Sequence, residues 1–372
     1  MAKEISPSTH PLTPPLTEEE WLAWLRLLRS HRVGISTFNR LMGEHGSAAA
    51  ALDILPNVAR EAGLTDYSPC SLDAARREFD AGHLTGARLV AIGSTDYPDG
   101  LLDIPDAPPF LWVLGRAALP GRRIAIVGAR NASSLGTRMA RKLATDLGKA
   151  GFTIVSGLAR GVDTAAHLAA LDTGTIAVTA GGVDVIYPAE NASLAQEIEE
   201  KGQRISEMPP GTRPQARHFP RRNRLVSGMS EAVLVVEAAG KSGSLITART
   251  ALDQGREVLV VPGHPLDARA AGGNMLLRDG ATLVRGVDDV IEALDRPTTE
   301  ELPAAATPPQ KAAAVTNLHA AILERLGPSP LPDDHLFRDI EAPPTEVAAA
   351  LLDLEMDGRI AREAGGLISR PA

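Results

Sequence analysis

The run Arg122-Arg-Ile-Ala-Ile-Val-Gly-Ala-Arg130 decides the fold of this chain. An apolar, β-branched stretch with no polar alternation reads as a strand covered on both faces. The glycine that ends it lets the chain turn sharply and lets a ligand come close. A helical pattern follows from about Ser134 to Ala150, and the cycle then repeats. Thr153-Ile-Val-Ser156 leads to Gly157 and a helix from about Asp163, and Thr175-Ile-Ala-Val-Thr179 ends at Gly181-Gly182. Ala232-Val-Leu-Val-Val236, Glu257-Val-Leu-Val-Val261 and Ala281-Thr-Leu-Val284 come after. Buried strands alternating with helices predict an α/β fold, an extended Rossmann-like parallel sheet. Ligands of such sheets bind outside the carboxyl ends of the strands.

Working outward, residues 90–296 form this sheet domain. On its N-terminal side, residues 1–17 are rich in Pro, Ser and Thr and read as a flexible tail. From Trp21 the pattern is helical: Trp21, Leu22, Trp24, Leu25 and Leu28 share one face, and Thr17 with Glu20 reads as a capping box. Residues 18–89 are thus a small all-α domain. Within it, Val33–Leu41 reads either as a helix–hairpin–helix-like turn against DNA backbone or as plain helix packing. On the C-terminal side, the Pro-, Thr- and Ala-rich stretch 297–313 is a linker. Residues 314–372 carry helices near Asn317–Leu326, Asp333–Asp339 and Pro344–Asp357. Arg359–Arg362 and Leu367–Ser369 then flank Gly365-Gly366, a hairpin signal. That order predicts a winged-helix domain.

With 372 residues, 44% hydrophobic and 23% charged, the chain is globular and large enough for two or three domains. The net charge of -8 argues against nucleic acid over the whole surface, so any DNA site must be a local basic patch. A single cysteine, Cys70, builds no disulfide framework and fits a reducing compartment. No apolar signal core opens the chain and no run of about 18 apolar residues occurs, so a cytoplasmic protein without a membrane partner is expected.

The strand exits carry the chemistry. At the first, Gly128 and Arg130 precede a helix whose N-terminal amides favour anions. The Gly-x-Gly-x-x-Gly fingerprint is missing, and Ser156 stands where a ribose-binding acid would end the next strand, which speaks against a nicotinamide site. At the second exit, Gly157 and Gly161 bracket a turn that, with Ser156 and Arg160, would cradle a phosphate. Asp163 suits an N-cap there and would hold His167, which reads as a structural histidine in preference to a catalytic one. The third exit, Gly181–Pro188, reads as a strand-to-loop connection. At the fourth, Lys241, Ser242, Gly243 and Ser244 precede a helix without forming a P-loop. The densest signal is Arg213-Pro-Gln-Ala-Arg-His-Phe-Pro-Arg-Arg-Asn-Arg224, five arginines around Phe219 with no acid among them. Arg217, Arg221, Arg222 and Arg224, with Asn223, suit phosphates, and Phe219 suits a stacked base. A solvated basic loop is the plainer alternative, and some of these arginines are expected to pair with Glu207, Asp163 or Glu237.

Taken together, Val127–Arg130, Ser156–Asp163, Gly182–Pro188, Ser206–Pro209, Phe219–Arg224, Ser242–Thr247 and Val261–Gly263 resemble the DNA processing protein A family (DprA, also called Smf), over about half the chain and in order. The resemblance implies sequence-independent binding and protection of single-stranded DNA and loading of RecA recombinase in natural transformation. It also implies displacement of single-strand-binding protein, a homodimer, no cofactor and no catalysis. Carried over by motif, Arg130, Arg160, Phe219, Arg222, Asn223 and Lys241 would line the DNA pocket. Gly272-Gly-Asn274 departs from a Gly-Cys-Asn common in the family and gives no thiol a role. The C-terminal domain holds roughly twice as many acids as bases, with Glu346, Asp353, Glu355 and Asp357 on its last helix, so a protein contact is expected there in place of a DNA groove. The alternative function is a Rossmann-type enzyme acting on a nucleotide or nucleoside phosphate.

Overall fold

The computed structural model describes residues 13–116, 119, 121–295, 311–326, 331–332, 340, 342–363 and 367–370. Most of the expected tail and linker, and the helix expected at Asp333–Asp339, lie outside them. The chain divides into two compact units, residues 1–296 and 297–372.

In the first unit, four helices lead into the sheet: α1 (Glu18–Arg29), α2 (Ile35–His45), α3 (Ala48–Glu61) and α4 (Leu72–Leu84). The capping box at the start of α1 is formed, Thr17 accepting from the Glu20 amide and Glu20 from the Thr17 amide. The inner faces of α1 and α2, with Leu22, Trp24, Leu25 and Phe38, join one apolar cluster with the sheet residues Phe110 and Val113.

The sheet has nine strands: β1 (Arg88–Ala91), β2 (Phe110–Gly115), β3 (Arg122–Gly128), β4 (Phe152–Ser156), β5 (Thr175–Val178), β6 (Gln203–Ser206), β7 (Ala232–Val236), β8 (Glu257–Val260) and β9 (Thr282–Leu283). Their spatial order is β1-β2-β6-β5-β4-β3-β7-β8-β9. The seven strands from β6 to β9 run parallel, while β2 is antiparallel to both neighbours. The expected parallel Rossmann-like sheet is therefore present, extended by an antiparallel edge.

Alternation along β3 shows why both faces had to be apolar. Ile124 and Ile126 pack with Leu143 and Leu147 of α5 (Ser134–Lys149) and Ala166 of α6 (Val162–Ala170). Ala125 and Val127 pack on the opposite face with Leu225 and Val226 of α8 (His218–Gly228) and Leu245 of α9 (Gly243–Asp253). The helix between them in sequence, α7, spans Ala192–Lys201. The chain proceeds from β3 to β4 on one side and returns through β7 on the other, so the topological switch point lies at β3, where a crevice opens at the carboxyl ends.

The second unit has its own core, in which Ile322, Leu323, Val347, Leu351, Leu354 and Ile368 are buried together. Among its described residues the helices are Lys311–Arg325 and Pro344–Met356. Strand Leu367–Ser369 pairs antiparallel with Ala361–Glu363 and with Leu331–Pro332, as a winged helix requires.

Candidate nucleic-acid interface

A groove of about 580 Å³ crosses the carboxyl ends of β3, β4 and β7, lined in part by Gly128, Arg130, Gly157, Phe219, Arg222, Asn223, Lys241, Ser242, Gly243 and Ser244. An adjoining cavity of about 300 Å³ shares Arg130, Gly157, Phe219 and Arg222 with it and adds Arg160 and Tyr187. The five expected site residues outside both are Ser156, Gly161, Arg217, Arg221 and Arg224.

Phe219, Arg222 and Asn223 stand at i, i+3 and i+4 of α8 and so share one helical face. Phe219 is half-buried, and the Arg130 guanidinium lies over its ring at 5.4 Å from the centroid. Arg130 and Lys241 are exposed and, among the described residues, carry no ion pair. Arg160 faces Glu190 at 3.7 Å, both largely in solvent, where such a pair contributes little.

Arg222 is placed differently from the expected surface phosphate ligand. It is buried, its Nη1 donates to the carbonyls of Gly157 and Val178 at 2.5 Å, and its Nε donates to Asn223 Oδ1 at 3.1 Å. Gly157 is glycine for this reason: a Cβ there would sit 2.2 Å from Arg222 Nη1. Burial pushes the Arg222 pKa down to about 10, and it pushes the neighbouring Asp163 carboxyl up, with the Arg222 charge partly opposing. Arg222 is thus a buttress of the groove floor that crosslinks α8 to the exits of β4 and β5. Removing it would disturb folding as well as binding.

Arg224 and Arg221 face away from the groove. Arg224 Nη2 donates to Glu207 Oε2 at 2.5 Å, both side chains buried, and Arg221 Nε lies 2.8 Å from Glu207 Oε1. The expected pairing with Glu207 is present and makes these two arginines anchors of α8. Arg217 is exposed and donates to the His218 ring at 3.4 Å.

Three expectations about anion cradles need correction. At the β3 exit, Glu237 occupies the start of α5: its carboxylate accepts from the Ser133 amide at 2.8 Å and from the Ser133 hydroxyl. Gly128 itself closes against β7, since a Cβ there would meet the Val236 carbonyl at 1.9 Å, so its missing side chain serves strand packing while its backbone lines the groove. At the β4 exit, the amides of Gly157 and Ala159 donate to Asp163 Oδ2 at 3.1 and 3.2 Å, and the Ser156 hydroxyl is buried on the Ile126 carbonyl. These groups are spent on the protein itself. The N-cap of α6 is Gly161, at φ 78°, with Asp163 two residues further on, in the first turn. His167 is buried and structural, but its partner is Thr175, 2.7 Å from Nδ1, and not Asp163. The β7 exit keeps open space, with nothing within 4 Å of where a Gly243 Cβ would be, although Ser242 Oγ already accepts from the Ser244 amide.

Two non-glycine residues at these exits, Leu158 (φ 57°) and Glu237 (φ 54°), hold the left-handed conformation. Such strain persists only where the surroundings over-determine it, and here it fixes the exits of β4 and β7 beside the groove. Sequence reasoning missed Arg269, which lines the groove from the loop after β8 and pairs with Asp267 at 3.0 Å. The carboxyl-end rule pointed to that loop. Among the described residues no cluster of His, Cys, Asp and Glu is arranged to hold a metal ion, and no helix is long and apolar enough to cross a membrane.

A largely parallel, doubly wound sheet with a crevice at its switch point, joined to an N-terminal helical part and followed by a winged-helix unit, defines an extended Rossmann-like α/β protein. The chain belongs to the DNA processing protein A (DprA/Smf) family: the family profile described as DNA recombination-mediator protein A matches residues 88–295. The profile of the DprA-like N-terminal HHH domain matches residues 18–81, and that of the DprA winged helix domain matches 306–366. Protein Smf of Escherichia coli is 40% identical over 292 residues, 75% of this chain and 76% of its own length. DNA processing protein DprA of Bacillus subtilis is 44% identical over 213 residues, 56% of this chain and 72% of its own. Among solved structures, DprA from Streptococcus pneumoniae superposes with a TM-score of 0.56 at 37% identity, covering 64% of this chain and 86% of that one. DprA from Helicobacter pylori, whose structure is described in terms of its single-stranded DNA binding mode, gives 0.52 at 31% identity, covering 56% and 97%.

Proposed function

We propose that the chain binds and protects single-stranded DNA without sequence preference in the β3–β4–β7 groove. It then loads RecA onto that strand in place of single-strand-binding protein during natural transformation. It acts as a cytoplasmic homodimer and performs no chemical step. The observation that carries this reading is the exposed Arg130 guanidinium over the half-buried Phe219 ring. A cation and a planar apolar surface, side by side in one groove, match a backbone phosphate and an unpaired base. Lys241, Gly243 and Arg160 extend the backbone path, while Arg222, Arg224, Arg221 and Gly157 hold the platform. The Helicobacter pylori relative, of which 97% is covered, supports the same ligand class. Glu237 weighs against the nucleotide-enzyme alternative, because its carboxylate stands at the helix start where a Rossmann enzyme would receive a pyrophosphate.

The domains divide the work as residues 18–89, 90–296 and 314–372, joined by the linker 297–313. The acidic second unit contacts protein: Glu346, Asp353 and Asp357 are exposed along its last helix and would repel a phosphate backbone. The test uses the full chain and a chain ending at Arg296, with RecA filament formation on strands coated with single-strand-binding protein as the second readout. Both forms should bind the single strand, and the full chain should accelerate filament formation. Turnover of a nucleotide, or loss of strand binding on removing residues 297–372, would contradict the proposal.

A further inference from the structure

Arg130 and Lys241, exposed cations of the larger cavity, stand on different loops, the exits of β3 and β7. One carboxylate joins those loops. Glu237 follows β7 directly, four residues before Lys241, and its carboxylate accepts from the amide and the hydroxyl of Ser133, three residues after Arg130. Ser133 in turn caps α5, its hydroxyl accepting from the Gly136 amide at 3.0 Å. The contact is built against two local preferences. Glu237 holds a left-handed backbone at φ 54°, which a non-glycine residue disfavours. Gly136 is a glycine inside a helix, which helices disfavour, and a Cβ there would lie 2.4 Å from the Glu237 carboxyl carbon. The two loops are also held from their other sides. The Ala129 carbonyl accepts from the Val162 amide at 3.2 Å, and the Ala238 carbonyl accepts from the Gly272 amide at 2.7 Å. The charge of Glu237 is the wrong sign for a groove that receives phosphates, so attraction does not account for its place there.

We infer that Glu237 is a positioning residue: by tying the β7 exit to the start of α5 it sets the spacing of Arg130 and Lys241, so that two phosphates of one strand are met together. This inference rests on the single-strand reading of the groove. Geometry and charge act in opposite directions at this residue. A carboxylate beside a phosphate path weakens binding by repulsion, whereas a clamp that holds two cations in register strengthens it, because they need not be ordered when the strand arrives.

The test is the binding of an oligothymidylate by the full chain, measured across salt. Glu237→Ala should weaken binding by about fivefold or more and lower the magnitude of the log–log salt slope by about 0.7, one phosphate contact, although it removes a negative charge. Glu237→Gln should bind at least as tightly as the unaltered chain, because its side-chain amide can accept from the Ser133 amide and donate to the Ser133 hydroxyl without the repulsion. In the Glu237→Ala background, Lys241→Ala should weaken binding less than it does in the unaltered chain, since the two cations are already out of register. A merely structural loss would leave that increment as it was. Ser133→Ala loosens the same clamp from the α5 side with no change of charge, and it should weaken binding in the same direction even where Glu237→Ala fails to fold. Unchanged or tighter binding by Glu237→Ala or by Ser133→Ala, with Arg130→Ala impaired, overturns the positioning role and leaves the single-strand reading standing. An equal loss in Glu237→Gln overturns it too, since the contacts are then kept and the binding is not. No binding of the strand by the unaltered chain would remove the single-strand reading itself.

Discussion

Arg130 and Phe219 come from different elements, the exit of β3 and the first turn of α8, and meet with the guanidinium carbon 5.4 Å from the ring centroid. The contact joins the two functions a single strand needs, charge for the backbone and a flat face for the base. Phe219→Ala should therefore cost about 1–3 kcal/mol of single-strand affinity with little change in salt dependence. Equilibrium binding at two or more salt concentrations checks this. A steep change in slope would mean that the ring acts on phosphates indirectly, by holding Arg130.

Lys241 stands exposed at the β7 exit, beside the open space around Gly243. Lys241→Ala should weaken single-strand binding and lower the magnitude of the log–log salt slope by about 0.7, the value for one phosphate contact on a single strand. An unchanged slope would remove Lys241 from the backbone path.

Glu207 anchors α8 from the side away from the groove. Glu207→Gln removes the buried one of the two carboxylates that pair with Arg224 and should destabilise the first unit by about 3 kcal/mol, the lower end for a broken buried pair. Asp106 retains Arg224 through its carbonyl at 2.6 Å and its carboxylate at 3.1 Å, which limits the loss. Chemical denaturation measures it. A change below about 1 kcal/mol would show that the pair is solvated in solution.

His167 makes stability depend on pH. Thr175 donates its hydroxyl proton to the Ile154 carbonyl, so it must accept from His167 Nδ1, which leaves Nε2 as a bare, buried acceptor. Burial first, and the Arg222 charge second, push the His167 pKa down to about 3 from the ordinary 6.5. The unfolded chain takes up a proton below that ordinary value and the folded chain does not. The stabilisation is thus complete above about pH 6.5 and is lost as the pH falls from there toward 3. Between pH 7 and pH 5 the unaltered chain should lose about 2 kcal/mol more stability than His167→Leu. Parallel pH profiles of the two would contradict this placement of the ring.

The central sheet was legible because its strands are β-branched runs closed by glycines. β1, β2 and β6 were not. Gln203-Arg-Ile-Ser206 is mostly polar yet buried, its Arg204 held by Glu199 and its Gln203 amide by the Arg116 carbonyl, so no apolar pattern marks it. The arginine cluster was visible, but clustering in sequence is not clustering in space. A helix turns by about 100° per residue, so α8 presents Phe219, Arg222 and Asn223 to the groove and Arg221 with Arg224 to Glu207. The apparent phosphate cradles failed for a related reason. The carboxylates that fill them, Asp163 and Glu237, lie several residues or a whole strand away, and only the fold shows which amides they take.

The most direct test of the central claim is the equilibrium binding of a mixed-sequence single strand, measured across salt for the unaltered chain and for Arg130→Ala. The claim predicts tight binding that weakens linearly on a log–log salt plot. In Arg130→Ala the affinity should be lower and the slope shallower by about 0.7. Salt-independent binding, or identical affinity and slope in the two proteins, would contradict it.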